Sequence, residues 1–329
     1  GTWTSLDVSP DGGQIVFDLL GDLYLLPVQG GTARLLRGGP AYETQPRFSP
    51  DGRRIAFTSD RDGLENLWTM DPDGENLRQV SRERERQVSN AAWTPSGRYL
   101  VGRKHFRNTR SLGSGEMWLY HVAGGDGSQI TERRNWEQNA TEPIVSPDGR
   151  YIYFSEDVSP GGGFQYNRDP HGVIYVVQRL DRETGEKEPW LDGPGGSLAP
   201  RLSPDGRRMA FVRRVGTRSA LMLHDMRSGA ERMLWDGLSH DQQEAWAIFG
   251  TYPGYDWTPD GSAIVIWAMT CSAPASRAPG TVGPNRSCSP GRSCPRSSSK
   301  RPPCCRPMLR WTAASRAPTP SSCRASARP

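Results

Sequence analysis

The sequence predicts an all-β chain: a six-bladed β-propeller of four-stranded antiparallel blades, its last blade incomplete, followed by a disordered tail. Three observations lead there. A four-residue phrase occurs six times, as Ser9-Pro10-Asp11-Gly12, Ser49-Pro50-Asp51-Gly52, Thr94-Pro95-Ser96-Gly97, Ser146-Pro147-Asp148-Gly149, Ser203-Pro204-Asp205-Gly206 and Thr258-Pro259-Asp260-Gly261. The copies are 40, 45, 52, 57 and 55 residues apart, a period that marks stacked supersecondary units. Each copy stands between apolar, strand-like runs, as Pro46-Arg47-Phe48 and Ile55-Ala56-Phe57-Thr58 flank the second.

The phrase has the chemistry of a tight hairpin turn. Pro presets φ at the first corner, Asp caps the amides that follow, and Gly takes a positive φ that other residues resist. In the second repeat, strands are expected at Gln45–Ser49, Arg53–Ser59, Asn66–Met70 and Asn76–Val80. Asp60-Arg61-Asp62-Gly63 and Asp71-Pro72-Asp73-Gly74 make the remaining turns. Ile55 and Phe57 alternate with Arg54, Ala56 and Thr58, the pattern of a half-buried strand. Four short strands in roughly 40 residues is the size of one propeller blade.

The other repeats show matching pairs: Gln14–Asp18 with Asp22–Pro27, Tyr99–Arg103 with Glu116–Val122, Tyr151–Ser155 with Val173–Leu180, and Arg208–Val212 with Ala220–Asp225. Longer repeats grow by loops, at Asp157–Asn167 and Leu238–Pro253. In the sixth, only Ser262–Ala268 follows the turn as a strand.

Composition divides the chain into a propeller over 1–268 and a tail over 269–329. All six cysteines and 11 of the 41 basic residues lie in 271–329, with none of the 36 acidic ones, which leaves residues 1–270 a net charge of −6. The overall basicity thus belongs to the tail and gives no ground for a nucleic-acid partner. The tail is Arg, Pro, Ser, Ala and Cys without period, too poor in large apolar groups to offset the entropy of ordering. Its composition is that of a GC-rich gene read out of frame, so a frameshift near Met269 is expected; a natural basic linker is the alternative. No secretory leader is read. The most apolar stretch, Ile15–Val28, is broken by Asp18 and Asp22 and does not suit a membrane span.

The turn phrases, together with Ala56-Phe57-Thr58-Ser59-Asp60-Arg61-Asp62-Gly63 and Leu67-Trp68-Thr69-Met70-Asp71, resemble the repeats of the TolB-type β-propeller. Four further segments, Gly1–Ser9, Arg103-Lys104-His105-Phe106, Gly115–His121 and Ala245-Trp246-Ala247-Ile248, resemble the propeller that precedes a metal-dependent amidohydrolase domain in bacterial exported proteins. That resemblance implies a periplasmic or secreted location and a hydrolase domain, intramolecular or a partner, as the propeller's neighbour. Any divalent metal, zinc above all, would belong to that hydrolase, so no cofactor is expected here.

Searching the residues for chemistry gives little. The histidines are His105, His121, His171, His224 and His240; no two stand closer than 16 residues, and none forms the His-x-His pair a metal amidohydrolase needs. Gly195-Gly196-Ser197-Leu198-Ala199 leads into a strand, the wrong setting for a nucleophile elbow. The cluster Arg103, Lys104, His105, Arg107, Arg110 reads as a solvated connector, or else as an anion contact. Arg82-Glu83-Arg84-Glu85-Arg86 reads as a self-compensated exposed loop. The Asp-rich turns lack the bidentate Glu of a calcium loop. Trp68, Trp118, Trp257 and Trp267 fall on strands as packing, while Trp136 and Trp246 fall in irregular segments.

No catalytic or metal residue is assigned. The candidates for the channel or faces are Asp7, Arg47, Arg201, Asp256, Arg103, His105 and Trp246, with Pro143 as the channel residue of the fourth blade. The expected function is a non-catalytic interaction or substrate-gating module. The alternative is a hydrolase- or peptidase-associated propeller with a site in its central channel. Whether the chain is itself an enzyme stays open.

Overall fold

A computed structural model describes residues 4–107, 113–161, 168–238 and 253–267. Among these, all regular structure is β, and no helix is long and apolar enough to cross a membrane. Five blades are four-stranded antiparallel meanders. The first comprises β1 (Leu6–Val8), β2 (Gln14–Leu19), β3 (Asp22–Pro27) and β4 (Arg34–Arg37). The second comprises β5 (Glu43–Phe48), β6 (Ile55–Ser59), β7 (Asn66–Met70) and β8 (Arg78–Gln79). In the third are β9 (Val88–Trp93), β10 (Tyr99–Phe106), β11 (Ser114–His121) and β12 (Ser128–Gln129). In the fourth are β13 (Ala140–Val145), β14 (Tyr151–Asp157), β15 (Tyr175–Asp181) and β16 (Lys187–Leu191). The fifth holds β17 (Leu198–Leu202), β18 (Arg208–Val215), β19 (Arg218–Asp225) and β20 (Glu231–Trp235).

Among the described residues, therefore, five four-stranded blades are present, not six. The sixth phrase joins β21 (Tyr255–Trp257) to β22 (Ile264–Ile266) in a two-stranded sheet that packs between the first and fifth blades. The phrase specifies only the hairpin between the first two strands of a repeat, so among the described residues six phrases accompany five four-stranded blades. The strand expected over Ser262–Ala268 is three residues long, and Ala268 and the tail lie outside the described residues.

Each phrase is a closed hydrogen-bonded unit. The Gly N–H donates to the Ser or Thr carbonyl at 2.8–2.9 Å in all six, and each Gly has φ between 64° and 77°. The hydroxyl of Ser9, Ser49, Ser203 or Thr258 donates to the Asp two residues on at 2.5–2.6 Å. That Asp accepts the N–H two residues further, as from Gly13 at 2.9 Å. The hydroxyl donor, ahead of this N–H, holds Asp11, Asp51, Asp148 and Asp205 below the ordinary carboxylate range, and Asp260 at about 2. The Arg53–Ser59 strand begins only at Ile55, because Arg53 and Arg54 donate their N–H groups back into the turn.

β6 is buried at all five positions rather than at alternate ones. Both of its faces are covered: Ile55 and Phe57 pack with Val16, Leu23 and Leu36 of the first blade, and Ala56 with Val88 and Leu100 of the third. The core is thus a series of interblade layers. The largest joins Tyr255, Trp257 and Ile264 to Leu6 and Phe17 on one side and Leu198 and Val212 on the other.

Four of the innermost strands carry a bulge. Gln45, Asn90, Glu142 and Ala199, each four residues before a phrase, have φ of 57°, 57°, 57° and 52°, and the ladder register shifts at each. The exposed N–H is captured by a side chain of the preceding blade: Gln45 N–H by Asp18 Oδ2 at 2.7 Å, Asn90 N–H by Gln45 Oε1 at 2.9 Å, and Ala199 N–H by Glu142 Oε2 at 2.9 Å. Gly254 fills the same slot in the two-stranded sheet, where a Cβ would collide with the Thr4 carbonyl.

Gln45→Ala removes the acceptor of the Asn90 N–H and of the Thr58 hydroxyl and keeps an L-residue at positive φ. Gln45→Gly loses the same bonds but relieves the backbone by about 1 kcal/mol. We expect Gln45→Gly to unfold at higher urea than Gln45→Ala, the reverse of the usual order in a strand. Equal midpoints would contradict the role of the bulge.

Candidate functional site

The residue two before each phrase holds one shared position on the innermost strand, paired in register with the second strand: Asp7 with Val16, Arg47 with Ala56, Ala92 with Val101, Ile144 with Tyr153, Arg201 with Ala210, and Asp256 with Val265. Four candidates named from sequence, Asp7, Arg47, Arg201 and Asp256, occupy this one position. Pro143 does not: it stands three residues before its phrase, and Ile144, two before it, holds the position instead.

The four charged groups interact. Arg47 Nη1 lies 3.9 Å from Asp7 Oδ1, with 15% and 14% of the two side chains exposed, so solvent reaches the pair. Arg47 also donates to the Leu6 carbonyl, and Asp7 Oδ2 accepts the Phe48 N–H at 2.6 Å. Asp256 Oδ2 accepts the Val8 N–H at 3.3 Å. Each carboxylate thus ties its own strand to the backbone of the next sector. Burial, then repulsion from Asp256, raises the Asp7 carboxyl well above the ordinary range, against the opposing pull of Arg47 and the Phe48 N–H. Burial and then Arg201 lower the Arg47 guanidinium, with Asp7, Asp256 and Asp18 acting the other way. Arg201 donates to the Pro200 carbonyl at 2.8 Å and lies 5.9 Å from the Tyr255 ring centre.

Beneath this quartet are two buried carboxyls that sequence reasoning missed. Asp18 accepts from Ser5 N–H at 2.9 Å, Ser5 Oγ at 2.6 Å and the Gln45 N–H. Glu142 accepts from Ser155 Oγ at 2.7 Å and the Ala199 N–H. Burial raises both above their ordinary values. The signal for Glu142 was legible: aligning the phrases puts polar residues (Gln45, Asn90, Glu142) four before the turn in three successive repeats.

Arg103 and His105 lie elsewhere. The stretch read as a solvated connector is the end of β10, where Arg103 is 1% and His105 4% exposed. Arg103 donates to Asn139 Oδ1 at 2.7 Å and to the Ala140 carbonyl at 3.0 Å, bridging the third and fourth blades. Burial drops its pKa to about 10. His105 Nδ1 meets Gln87 Oε1 at 3.0 Å. Lys104 pairs with Glu83 at 2.5 Å and covers the Trp118 ring, so the alternating Arg82–Arg86 segment is docked rather than self-compensated. Trp136 is 48% exposed under Arg133. Trp246, Arg110 and His240 lie outside the described residues. Among the described residues, no three His, Cys, Asp or Glu side chains are grouped to hold a metal.

Residues 2–157 match the TolB beta propeller domain family, so the TolB-type likeness expected from the turn phrases holds over that part of the chain. An uncharacterized protein of Agrobacterium fabrum is 29% identical over 198 residues, 58% of this chain and 61% of that one. An uncharacterized peptidase of Bacillus subtilis is 27% identical over 178 residues, 53% of this chain and 22% of that one. The chain therefore spans less than two thirds of either relative. A TolB-type structure from Agrobacterium tumefaciens superposes with a TM-score of 0.61 at 19% identity, covering 79% of this chain and 87% of that one, which shows a shared fold.

A carboxyl whose folded-state pKa is raised contributes stability that is present in full below the ordinary carboxylate range and lost as pH rises through the raised value. Asp7→Asn stays neutral throughout. Its melting temperature relative to the unsubstituted protein should therefore increase between pH 4 and pH 7. A pH-independent difference would show that Asp7 titrates normally.

Proposed function

We propose that the propeller is a non-catalytic interaction and gating module for a hydrolase acting on C–N bonds. The observation that carries this is the commitment of the channel carboxylates. Asp7 and Asp256 each accept a backbone N–H from the neighbouring sector, so they hold the ring together rather than standing free as acid and base. Arg47 and Arg201 are engaged too, by the Leu6 and Pro200 carbonyls, so the two acids and two bases balance and the lining serves the ring rather than a reaction.

Two likenesses support a hydrolase neighbour. The Bacillus subtilis relative is described as a peptidase, and this chain corresponds to 22% of it. The segments resembling amidohydrolase-linked propellers, with a tail rich in Arg, Pro, Ser and Cys and devoid of acids, support a hydrolase encoded in another frame beyond Met269. Such a protein is exported, and its metal sits in the hydrolase.

The test has two arms. The purified chain, assayed with zinc or manganese against amide, lactam and dipeptide substrates, should show no turnover. The DNA downstream of Ala268, read in the other frames, should encode a strand-like Gly-Lys-Ile segment and then His-x-His. Turnover that vanishes in Asp7→Asn or Asp256→Asn would place catalysis in the channel and overturn the proposal; a downstream frame without the histidine pair would remove the amidohydrolase partner.

A further inference from the structure

The six phrases form a ring on one face of the propeller, and the ring is open at one junction. At five junctions the proline of one phrase packs on the glycine of the next: a Cβ placed at Gly52, Gly149, Gly206, Gly261 or Gly12 would meet Cδ of Pro10, Pro95, Pro147, Pro204 or Pro259 at 3.4–3.7 Å. At Gly97 the same construction meets nothing within 4 Å. There, between the second and third blades, lies a groove of about 550 Å³ lined by Pro50, Arg53, Arg54, Trp93, Arg98 and Val122 among others.

The junction between the fifth blade and the two-stranded sheet shows what closes such a groove. Arg208, five residues after the phrase serine, donates from Nη2 to the Gly261 carbonyl at 2.7 Å and lies 5.0 Å from the ring centre of Trp257. Trp257 in turn donates its indole N–H to the Arg201 carbonyl at 3.0 Å. The open junction has the same parts in the same register: Arg54, Gly97, and Trp93, whose indole N–H donates to the Arg47 carbonyl at 3.0 Å. Yet the Arg54 guanidinium makes no such bridge. Among the described residues, Arg53, Arg54 and Arg98 form no ion pair and no side-chain hydrogen bond; Arg98 lies 5.9 Å from the Tyr99 ring centre. The third phrase is also the one with Ser96 where the other five have Asp, so it adds no carboxylate, and the three arginines outnumber Asp51 of the second phrase, which lines the same groove.

We propose that this groove binds an acidic, extended segment of a partner protein, its carboxylates taken by Arg53, Arg54 and Arg98 and its apolar positions by Trp93 and Val122. Guanidinium forks match carboxylates in pairs, and an aromatic floor beside them supplies burial. The volume is that of a small-ligand or short-segment site. This chain's own residues 271–329 contain no Asp or Glu and cannot supply the anion. The site is separate from the channel and does not rest on the hydrolase reading.

The test uses the full chain and a fluorescein-labelled peptide, (Glu-Leu)₄, followed by fluorescence anisotropy at low and moderate salt, with (Lys-Leu)₄ as control. The acidic peptide should bind and the basic one should not, with affinity falling as salt rises. Arg54→Glu with Arg98→Glu should weaken binding at least tenfold, while Arg208→Glu, at the closed junction, should leave it unchanged. Ser96→Asp keeps the turn chemistry of the other five phrases, so it should raise the melting temperature while weakening the peptide severalfold. No binding, or equal loss from Arg208→Glu, overturns the proposal. Tripolyphosphate binding as tightly as the peptide would make this a small-anion site instead. A dimer in sedimentation that dissociates in the double variant would assign the groove to a second copy of the chain.

Discussion

The capture of a bulged N–H by the side chain of the preceding blade is the contact on which this propeller turns. A positive φ at Gln45, Asn90, Glu142 and Ala199 rotates an N–H out of its own ladder, and a buried donor without an acceptor costs about 1–3 kcal/mol. Asp18, Gln45 and Glu142 supply the acceptors for the second, third and fifth blades, so each of those bulges is tolerated only while its neighbour is in place. The local strain and the global ring are one constraint. It fixes how far each blade is rotated against the next, and so where the residue two positions on is placed.

That placement explains why the channel residues behave as they do. Asp7, Arg47, Arg201 and Asp256 share a register position in four sectors, with the unlike pair Asp7 and Arg47 in contact and like charges also within electrostatic reach. Ala92 and Ile144 fill the same position in the third and fourth blades, so the charge is gathered on one arc of the ring. Burial acts more strongly than the ion pair on both Asp7 and Arg47, although solvent still reaches them. A structural pair alone would be served as well by apolar residues of similar volume.

The turn phrases serve two levels at once. Within a repeat, the hydroxyl–Asp–amide network closes the hairpin; between repeats, proline rests on glycine and carries the ring around the face. Because the second task depends on the spacing of blades rather than on the phrase, it can fail at one junction while every turn remains intact. The second-to-third junction is that case.

The sequence by itself determined the turns, their glycine φ, the meander of each blade and the sharing of one channel position by Asp7, Arg47, Arg201 and Asp256, because these depend on local chemistry repeated at a period. Interaction across blades was decided only by the tertiary structure. Ile55 and Ala56 are both buried because two different blades cover the two faces of β6. Arg103 reads as solvated among Lys104 and Arg107, yet it is enclosed by Asn139 and Ala140 from 36 and 37 residues away. The number of four-stranded blades among the described residues was decided there too, since a phrase writes one hairpin and four strands must pair before such a blade exists.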